Sequence, residues 1–244
     1  MSALIDYTLQ LADNALILGQ RNSEWCGHGP ILEQDIAITN ISLDLIGQAR
    51  SFYQYAAQLK ADGSTEDSLA YLRTEREFKN CLLVEQPNGD WAQTMLRQFL
   101  FSNFQFHLYQ YLLDSPDKTI AAIAEKSLKE VKYHLRWSSE WVIRLGDGTE
   151  ESHTRMLTAI DELWRYTGEL FVPATYEQES GIDLASLKND WQNKVKAVFE
   201  EATLTVPENT FMQTGGKTGK HTEHLGYILS DLQYMQRAYP GSEW

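Results

Sequence analysis

The stretch that most limits what this chain can fold into is Gln34 to Leu59, QDIAITNISLDLIGQARSFYQYAAQL. It holds no proline and runs for several turns. Its apolar residues are too dense for a single exposed face. A helix apolar nearly all round belongs in the middle of a bundle. Asn40, Asp44 and Gln48 recur at every fourth residue and so share one stripe of that helix. The stretch therefore predicts a buried helix with one polar seam.

The remaining chain reads as more helices. Ala3 to Gln20 carries Leu4, Tyr7, Leu11, Ala15 and Leu18 at helical spacing, and Gly27-His28-Gly29-Pro30 breaks it. After a stop near Asp62-Gly63, a shorter helix is expected from Thr65 to about Leu83, closed by Gln86-Pro87-Asn88-Gly89. Trp91 to Leu113 is long and aromatic-rich. Another helix starts with Pro116 in its first turn and reaches about Leu145, and Thr154 to Phe171 forms the next. A loop from Val172-Pro173 to Asp183 precedes a helix from Leu184 to Ala202. A second loop, with Pro207 and the run Thr214 to Gly219, precedes the last helix, His221 to Tyr239. No period-two pattern, internal repeat or low-complexity linker interrupts this reading. The expected fold is all-α, an up-down bundle core with extra helices, in one domain over residues 1–244.

The net charge of −13 argues against non-specific nucleic-acid binding, which needs a basic face. Cys26 and Cys81 are far apart and form no Cys-x-x-Cys, so neither zinc nor redox chemistry is suggested. The start, MSALIDY, lacks the basic segment of a secretory signal, and no apolar run is long enough for a bilayer. A cytoplasmic protein without membrane contact is expected.

A helical bundle that holds two irons draws a carboxylate from each of two helices and a Glu-x-x-His from each of the other two. On the first helix the inward position falls near Asn14 or Ala15, neither an acid. On the second it is Asp44, with Gly47 where the imidazole would stand. On the third it is Ser102, near Gln105 and among several phenylalanines. On the fourth His134 is present, but Val131 stands three residues before it and Glu130 four before. Asp44 and His134 alone are too few for iron. Asp44, Gly47, Ser102, Val131 and His134 are thus expected to mark a vestigial site, with no metal and no catalytic residue in this chain. As a buried acid, Asp44 would need a partner such as His134 or Arg50.

Several longer motifs are specific. They are Glu24-Trp25-Cys26-Gly27-His28, Asn40 to Arg50, Leu83 to Gly89, Tyr133-His134-Leu135-Arg136 and Leu163-Trp164-Arg165. Thr214-Gly215-Gly216-Lys217 with His221-Thr222-Glu223-His224-Leu225-Gly226 completes the set. Together they resemble the family of C-type, non-catalytic components of the bacterial phenylacetyl-CoA 1,2-epoxidases, ring-oxygenating multicomponent monooxygenases, over essentially the whole chain. The resemblance implies a ferritin-like four-helix core and a structural role beside a catalytic di-iron partner, the A-type component, of the same fold. It implies other epoxidase subunits as partners, among them a reductase with NADPH, flavin and iron–sulfur, and a place in aerobic phenylacetate degradation. A homodimer is a further expectation. The ligand census agrees with the C-type rather than the A-type component.

The segment Arg73 to Asn80, RTEREFKN, sets basic side chains beside an aromatic ring in an acidic chain. Coenzyme A is anionic and ends in adenine, so cations and a stacking surface suit it. A solvated helix face of alternating charge is the plainer explanation. With the resemblance, Glu77, Phe78, Lys79 and Asn80 are the candidates for a coenzyme A ester at the partner interface, followed by the Thr175–Glu177 loop. Gly216-Lys217-Thr218 has the ending of a phosphate-binding loop, but Phe211 stands where its first glycine belongs. It reads as a surface loop whose amides, with Lys217 and Lys220, are available to a phosphate or a carboxylate. His221 to His224 reads as a helix start with capping groups, one ligand short of a zinc site. The aromatic residues Trp91, Phe99, Phe101, Phe104, Tyr109, Trp137, Trp141 and Trp164 are assigned mainly to the core.

Two other functions remain open on the sequence: a di-iron oxidase that uses Asp44, Glu130 and His134, or a module that binds acyl-CoA without chemistry.

Overall fold

The structure is a computed structural model that describes residues 2–208 and 210–242; Met1, Asn209, Glu243 and Trp244 lie outside the described residues. Every regular element among the described residues is helical. None of these helices is long and apolar enough to cross a membrane. The chain forms two compact units, Met1–Gln86 with Ala174–Gly181 and Gly215–Trp244, and Pro87–Pro173 with Ile182–Thr214.

The first unit is built on α1 (Ser2–Ser23) and α2 (Leu32–Lys60), antiparallel neighbours joined by a short loop. Every residue of α1 from Tyr7 to Gly19 is buried. That helix is enclosed by α2 and by three shorter elements, α4 (Leu82–Glu85), α8 (Thr175–Glu179) and α10 (Glu223–Ala238). At the close approach of α1 to α2, a Cβ at Gly19 would lie 3.2 Å from Leu45 Cβ. The expectation that α2 is the all-round buried helix is therefore corrected. α2 buries one face (Ile38, Ile41, Leu45, Phe52 and Ala56), while Leu32, Ile36 and Leu43 on the opposite face are exposed and Ile46, at the edge, still reaches the Gly19 contact with α1.

The helix expected over Thr65–Leu83 is also corrected. It is α3 (Glu66–Tyr71), a 3₁₀ turn (Glu75–Glu77) and α4, with extended backbone at Phe78 and Cys81. Thr65 and Ser68 cap α3 reciprocally. After Tyr71 the chain is drawn out of helix by contacts to α1 described below.

The second unit pairs α5 (Trp91–Leu112) with α6 (Lys118–Gly146) through a tight turn, so the two run antiparallel. α7 (Glu150–Leu163) and α9 (Leu184–Glu201) pack on α5. Each start has a chemical reason: Asp90, Asp117, Thr149 and Asp183 accept backbone N–H groups of the first turn. Asp117, not Pro116, opens α6. The helix expected over Thr154–Phe171 starts a turn earlier, at the Thr149 cap, and gives way to 3₁₀ turns at Trp164–Tyr166 and Gly168–Phe171. Trp191 anchors α9, donating from Nε1 to Leu100 O (2.9 Å), while Asn103 donates to Trp191 O (2.9 Å). Trp164 and Phe171 flank Trp191, with centroids 5.9 and 5.3 Å away, so an aromatic cluster fills this unit.

Candidate functional site

The first unit contains the segment that the sequence singled out, and α1 shapes it. Asp13 is fully buried in the middle of α1. Its carboxylate accepts the Tyr53 hydroxyl (2.6 Å), the Lys79 backbone N–H (2.8 Å), and both terminal nitrogens of Arg73. Arg73 also donates to Leu69 O and Glu77 O, and its guanidinium lies 4.2 Å from the centroid of Phe78. Burial disfavours the charge on Arg73, but the adjoining Asp13 carboxylate outweighs it and the guanidinium pKa is raised. Burial and the Asp13 charge together push the Tyr53 phenol well up, so it remains a neutral donor. One residue on, Asn14 Oδ1 accepts Cys81 N–H at 2.8 Å. Two adjacent polar residues of α1 thus replace the hydrogen bonds that a helix through residues 79–81 would have made.

A second buried acid fixes the other side. Glu85 Oε1 accepts the N–H (2.7 Å) and hydroxyl (2.8 Å) of Thr222, and Oε2 accepts Asn80 Nδ2 (2.8 Å) and faces His221 Nδ1 (2.8 Å). His221 Nε2 is 3.0 Å from Phe78 O. A carboxylate and a carbonyl can only accept, so both ring nitrogens donate and the imidazole is an imidazolium. Burial opposes that charge, yet the Glu85 hydrogen bond and charge prevail and the His221 pKa is raised. The third buried acid, Glu177, accepts Ala174 N–H at 2.7 Å and pairs with Lys217 Nζ at 3.0 Å. Tyr176 donates its hydroxyl to Lys217 O at 2.9 Å, and Lys79 Nζ lies 5.1 Å from the Tyr176 ring centroid. The two segments proposed from sequence, Glu77–Asn80 and Thr175–Glu177, therefore meet at Lys79 and Tyr176.

Not every candidate presents its side chain. Phe78 and Asn80 are fully buried. Phe78 is no free stacking surface, because Arg73 occupies its ring face, and Asn80 is committed to Glu85. Glu77 is exposed, with its carboxylate on Thr74 N–H and Oγ1, both at 2.7 Å. Lys79 keeps 23% of its side chain accessible and pairs with Asp6 at 3.5 Å. Lys217 is buried on Glu177, which corrects its expected availability to a phosphate. Thr222 does start α10, but its hydroxyl serves Glu85 rather than capping that helix.

Beside this segment lies a cleft of about 840 Å³ lined by Thr74, Glu75, Arg76, Gln233, Tyr234 and Arg237, among others. Its cations and the exposed Tyr234 ring offer what the sequence had assigned to Phe78: positive charge with an accessible aromatic face. Asp13, Tyr234 and Arg237 were missed on the sequence. The inward positions expected on α1, Asn14 or Ala15, lie one or two residues from the buried acid Asp13.

The positions expected to mark a vestigial metal site differ in burial. On α2, Asn40 and Gly47 are exposed, Asp44 is half-buried and only Gln48 of the seam is buried. A Cβ at Gly47 would meet nothing within 4 Å. In the second unit Ser102, Val131 and His134 are fully buried, and Ser102 Oγ accepts Gln98 Nε2 at 2.7 Å. Among the described residues of either unit, no three His, Cys, Asp or Glu side chains gather as a metal site. This donor set does not fit a di-iron centre. Val131 stands where Glu-x-x-His would need its acid on α6, and the buried acid of α1 accepts from Tyr53, Arg73 and the Lys79 N–H.

The full chain, residues 1–244, matches the family model described as phenylacetic acid catabolic protein. Among curated proteins, the C-type component of the 1,2-phenylacetyl-CoA epoxidase of Escherichia coli (strain K12) is 49% identical over 249 residues, an alignment covering 100% of both chains.

Proposed function

The chain belongs to the phenylacetic acid catabolic protein family, all-α and ferritin-like, and on that premise we propose that it is the structural subunit of a cytoplasmic phenylacetyl-CoA epoxidase complex. In this reading it supports a catalytic di-iron partner, holds no metal of its own, and contributes the surface around Lys79, Arg76 and Tyr234 to a coenzyme A ester. Its part in the chemistry is to bind and orient. The cationic groups suit the phosphates and the aromatic ring suits the adenine. The oxygen chemistry and the electron supply lie in other subunits.

One observation carries the reading. Among the described residues of the first unit, the fully buried carboxylates Asp13, Glu85 and Glu177 each meet a cation of the chain itself: Arg73, His221 and Lys217. These buried acids are engaged within the scaffold, which supports a structural rather than a metal-binding role.

Iron analysis of the purified chain after expression with ample iron tests it. No stoichiometric iron is expected. Two irons per chain would overturn the structural reading in favour of an oxidase in its own right, and Asp44, Glu130 and His134 would be the first residues to replace.

A further inference from the structure

In the second unit, α6 and α9 both pack on α5, and a cleft of about 880 Å³ opens between them. α9 starts beside Tyr111 near the end of α5, where Asp183 N–H donates to the tyrosine hydroxyl (3.4 Å). It ends beside Gly146, the last residue of α6, whose carbonyl accepts the Thr203 hydroxyl (3.3 Å). α9 therefore runs parallel to α6. The cleft floor is apolar, with Phe106, Leu135 and Ile143, and the half-buried His107 stands edge-on to Phe106 with centroids 5.3 Å apart.

Charge is sorted along this cleft. Toward its start lie Lys129, Lys132 and Arg136 on α6 and Lys194 on α9, with Asp190 as the acid among them. Toward its end lie Glu140 and Glu201. Lys129, Lys132 and Arg136 stand at i, i+3 and i+7 and so share one stripe of α6 over about 10 Å. Like charges at such spacing repel and weaken a helix. Asp190 stands one turn before Lys194 and Glu140 one turn after Arg136, yet none of the four cations forms an ion pair with a described residue. Arg136 lies instead 5.7 Å from the centroid of the exposed Tyr133 ring. Four cations held apart from the nearby carboxylates, in a chain of net charge −13, form a seat for an anion.

The cleft also selects among anions. Ammonium and guanidinium groups suit a chain of phosphates, and the volume is that of a small-molecule site. A bare phosphate would leave the apolar floor empty. Glu140 and Glu201 accept hydrogen bonds from free sugar hydroxyls and repel a further phosphate, as an acid does beside the ribose of a dinucleotide. That disfavours a sugar carrying its own phosphate, as in coenzyme A.

We propose that the α6–α9 cleft of the second unit binds a nucleoside diphosphate with an unmodified ribose. The phosphates rest on Lys129, Lys132, Arg136 and Lys194, the base lies on the apolar floor, and the ribose hydroxyls turn to Glu140 and Glu201. The cleft belongs to a different unit from the surface assigned above to a coenzyme A ester, and it stands whether or not the chain is a structural subunit.

The full chain is titrated calorimetrically with adenosine diphosphate and, in separate runs, with pyrophosphate, adenosine and coenzyme A. Saturable one-to-one binding of adenosine diphosphate is expected, at least about tenfold tighter than that of the other three. Arg136→Glu and Lys194→Glu should each weaken it by about tenfold or more, since each removes a charge-assisted hydrogen bond. Lys196→Glu, at an exposed cation of α9 outside the cleft, should change it less than about threefold. Adenosine diphosphate should raise the Tm of the wild type and leave that of Arg136→Glu unchanged. Arg136→Gln should also weaken binding, and serves as the variant if the charge reversal prevents folding. Absence of saturable binding up to about 1 mM adenosine diphosphate would overturn the proposal. Equal binding of pyrophosphate would make the cleft a bare anion site, equal binding of adenosine would leave its cations without a role, and equal binding of coenzyme A would make it a coenzyme A subsite; each overturns it. Binding that survives both Arg136→Glu and Lys194→Glu, or that falls equally in Lys196→Glu, would place the nucleotide elsewhere and overturn it as well.

Discussion

His221 is held between two acceptors, so its proton is part of the fold. The imidazolium donates to Glu85 and to Phe78 O, and its pKa is raised above the ordinary 6.5. In the unfolded chain the same ring titrates near about 6.5. Below that value both states are charged and the interaction contributes fully. As pH rises past it, the unfolded state loses the proton first, and stability falls until the folded ring also titrates. Urea denaturation between roughly pH 5.5 and 8.5 should therefore show the wild-type chain losing stability relative to His221→Gln as pH rises. A gap between the two that is flat across this range would contradict the imidazolium. Asp13 and Arg73 make a harder test. Removing one member of a buried pair leaves the other charge unpaired, so Arg73→Met should cost about 3–5 kcal/mol in a denaturant titration. Replacing both members, Asp13→Leu with Arg73→Met, should recover part of that loss, because no lone charge remains. None of this was legible in the sequence. Asp13 sits 60 residues from Arg73, whereas helical patterning relates neighbours three or four apart, so no local signal marks the pair.

At the scale of elements, the chain departs from local propensity where α1 intervenes. Thr65–Leu83 reads as one helix because its local composition allows one. The structure breaks it because the N–H groups of Lys79 and Cys81 find buried side-chain acceptors on α1. The glycine-rich loop closes over this extended strip. A Cβ at Gly216 would collide with the Asn80 carbonyl, and Gly219, at φ +76°, lies against Arg76 O. Only glycine allows backbone to approach backbone in that way. Gly216→Ala should cost about 1–3 kcal/mol through overpacking, and each kcal/mol should lower Tm by about 2–4 °C in a chain of this size. Calorimetry gives the Tm, and hydrogen exchange should show residues 76–82 opening first. An unchanged Tm would mean that the loop does not brace the strip. The long helices and their aromatic cores were legible because period and length suffice to place them. α2 departs from expectation for a related reason: its apolar residues are divided between a buried face and an exposed one, and apolar density does not distinguish the two.

For the whole molecule, the proposal that this chain holds no metal can be tested by supplying a ligand. Val131→Glu would create Glu-x-x-His with His134 on α6, the motif that di-iron ferritin-like bundles use. Val131 is fully buried. Its replacement would force a carboxylate into that space, and an unpaired buried charge is expensive. If the helix surface retained a metal-ready arrangement, Fe(II) would accept the new carboxylate and His134 together, and binding to the folded state would return stability by mass action. If the site is lost as a whole, two ligands from one helix hold iron too weakly for that, since the remaining positions offer Ser102 and Gly47 in place of donors. The expected outcome is a variant with a lower Tm in calorimetry that Fe(II) fails to raise, and that turns over no phenylacetyl-CoA. A Tm that climbs with Fe(II) in the variant and not in the wild type would show the core still shaped for metal. One side chain of α6 would then decide whether this core takes up metal, whatever the ion pairs elsewhere in the chain.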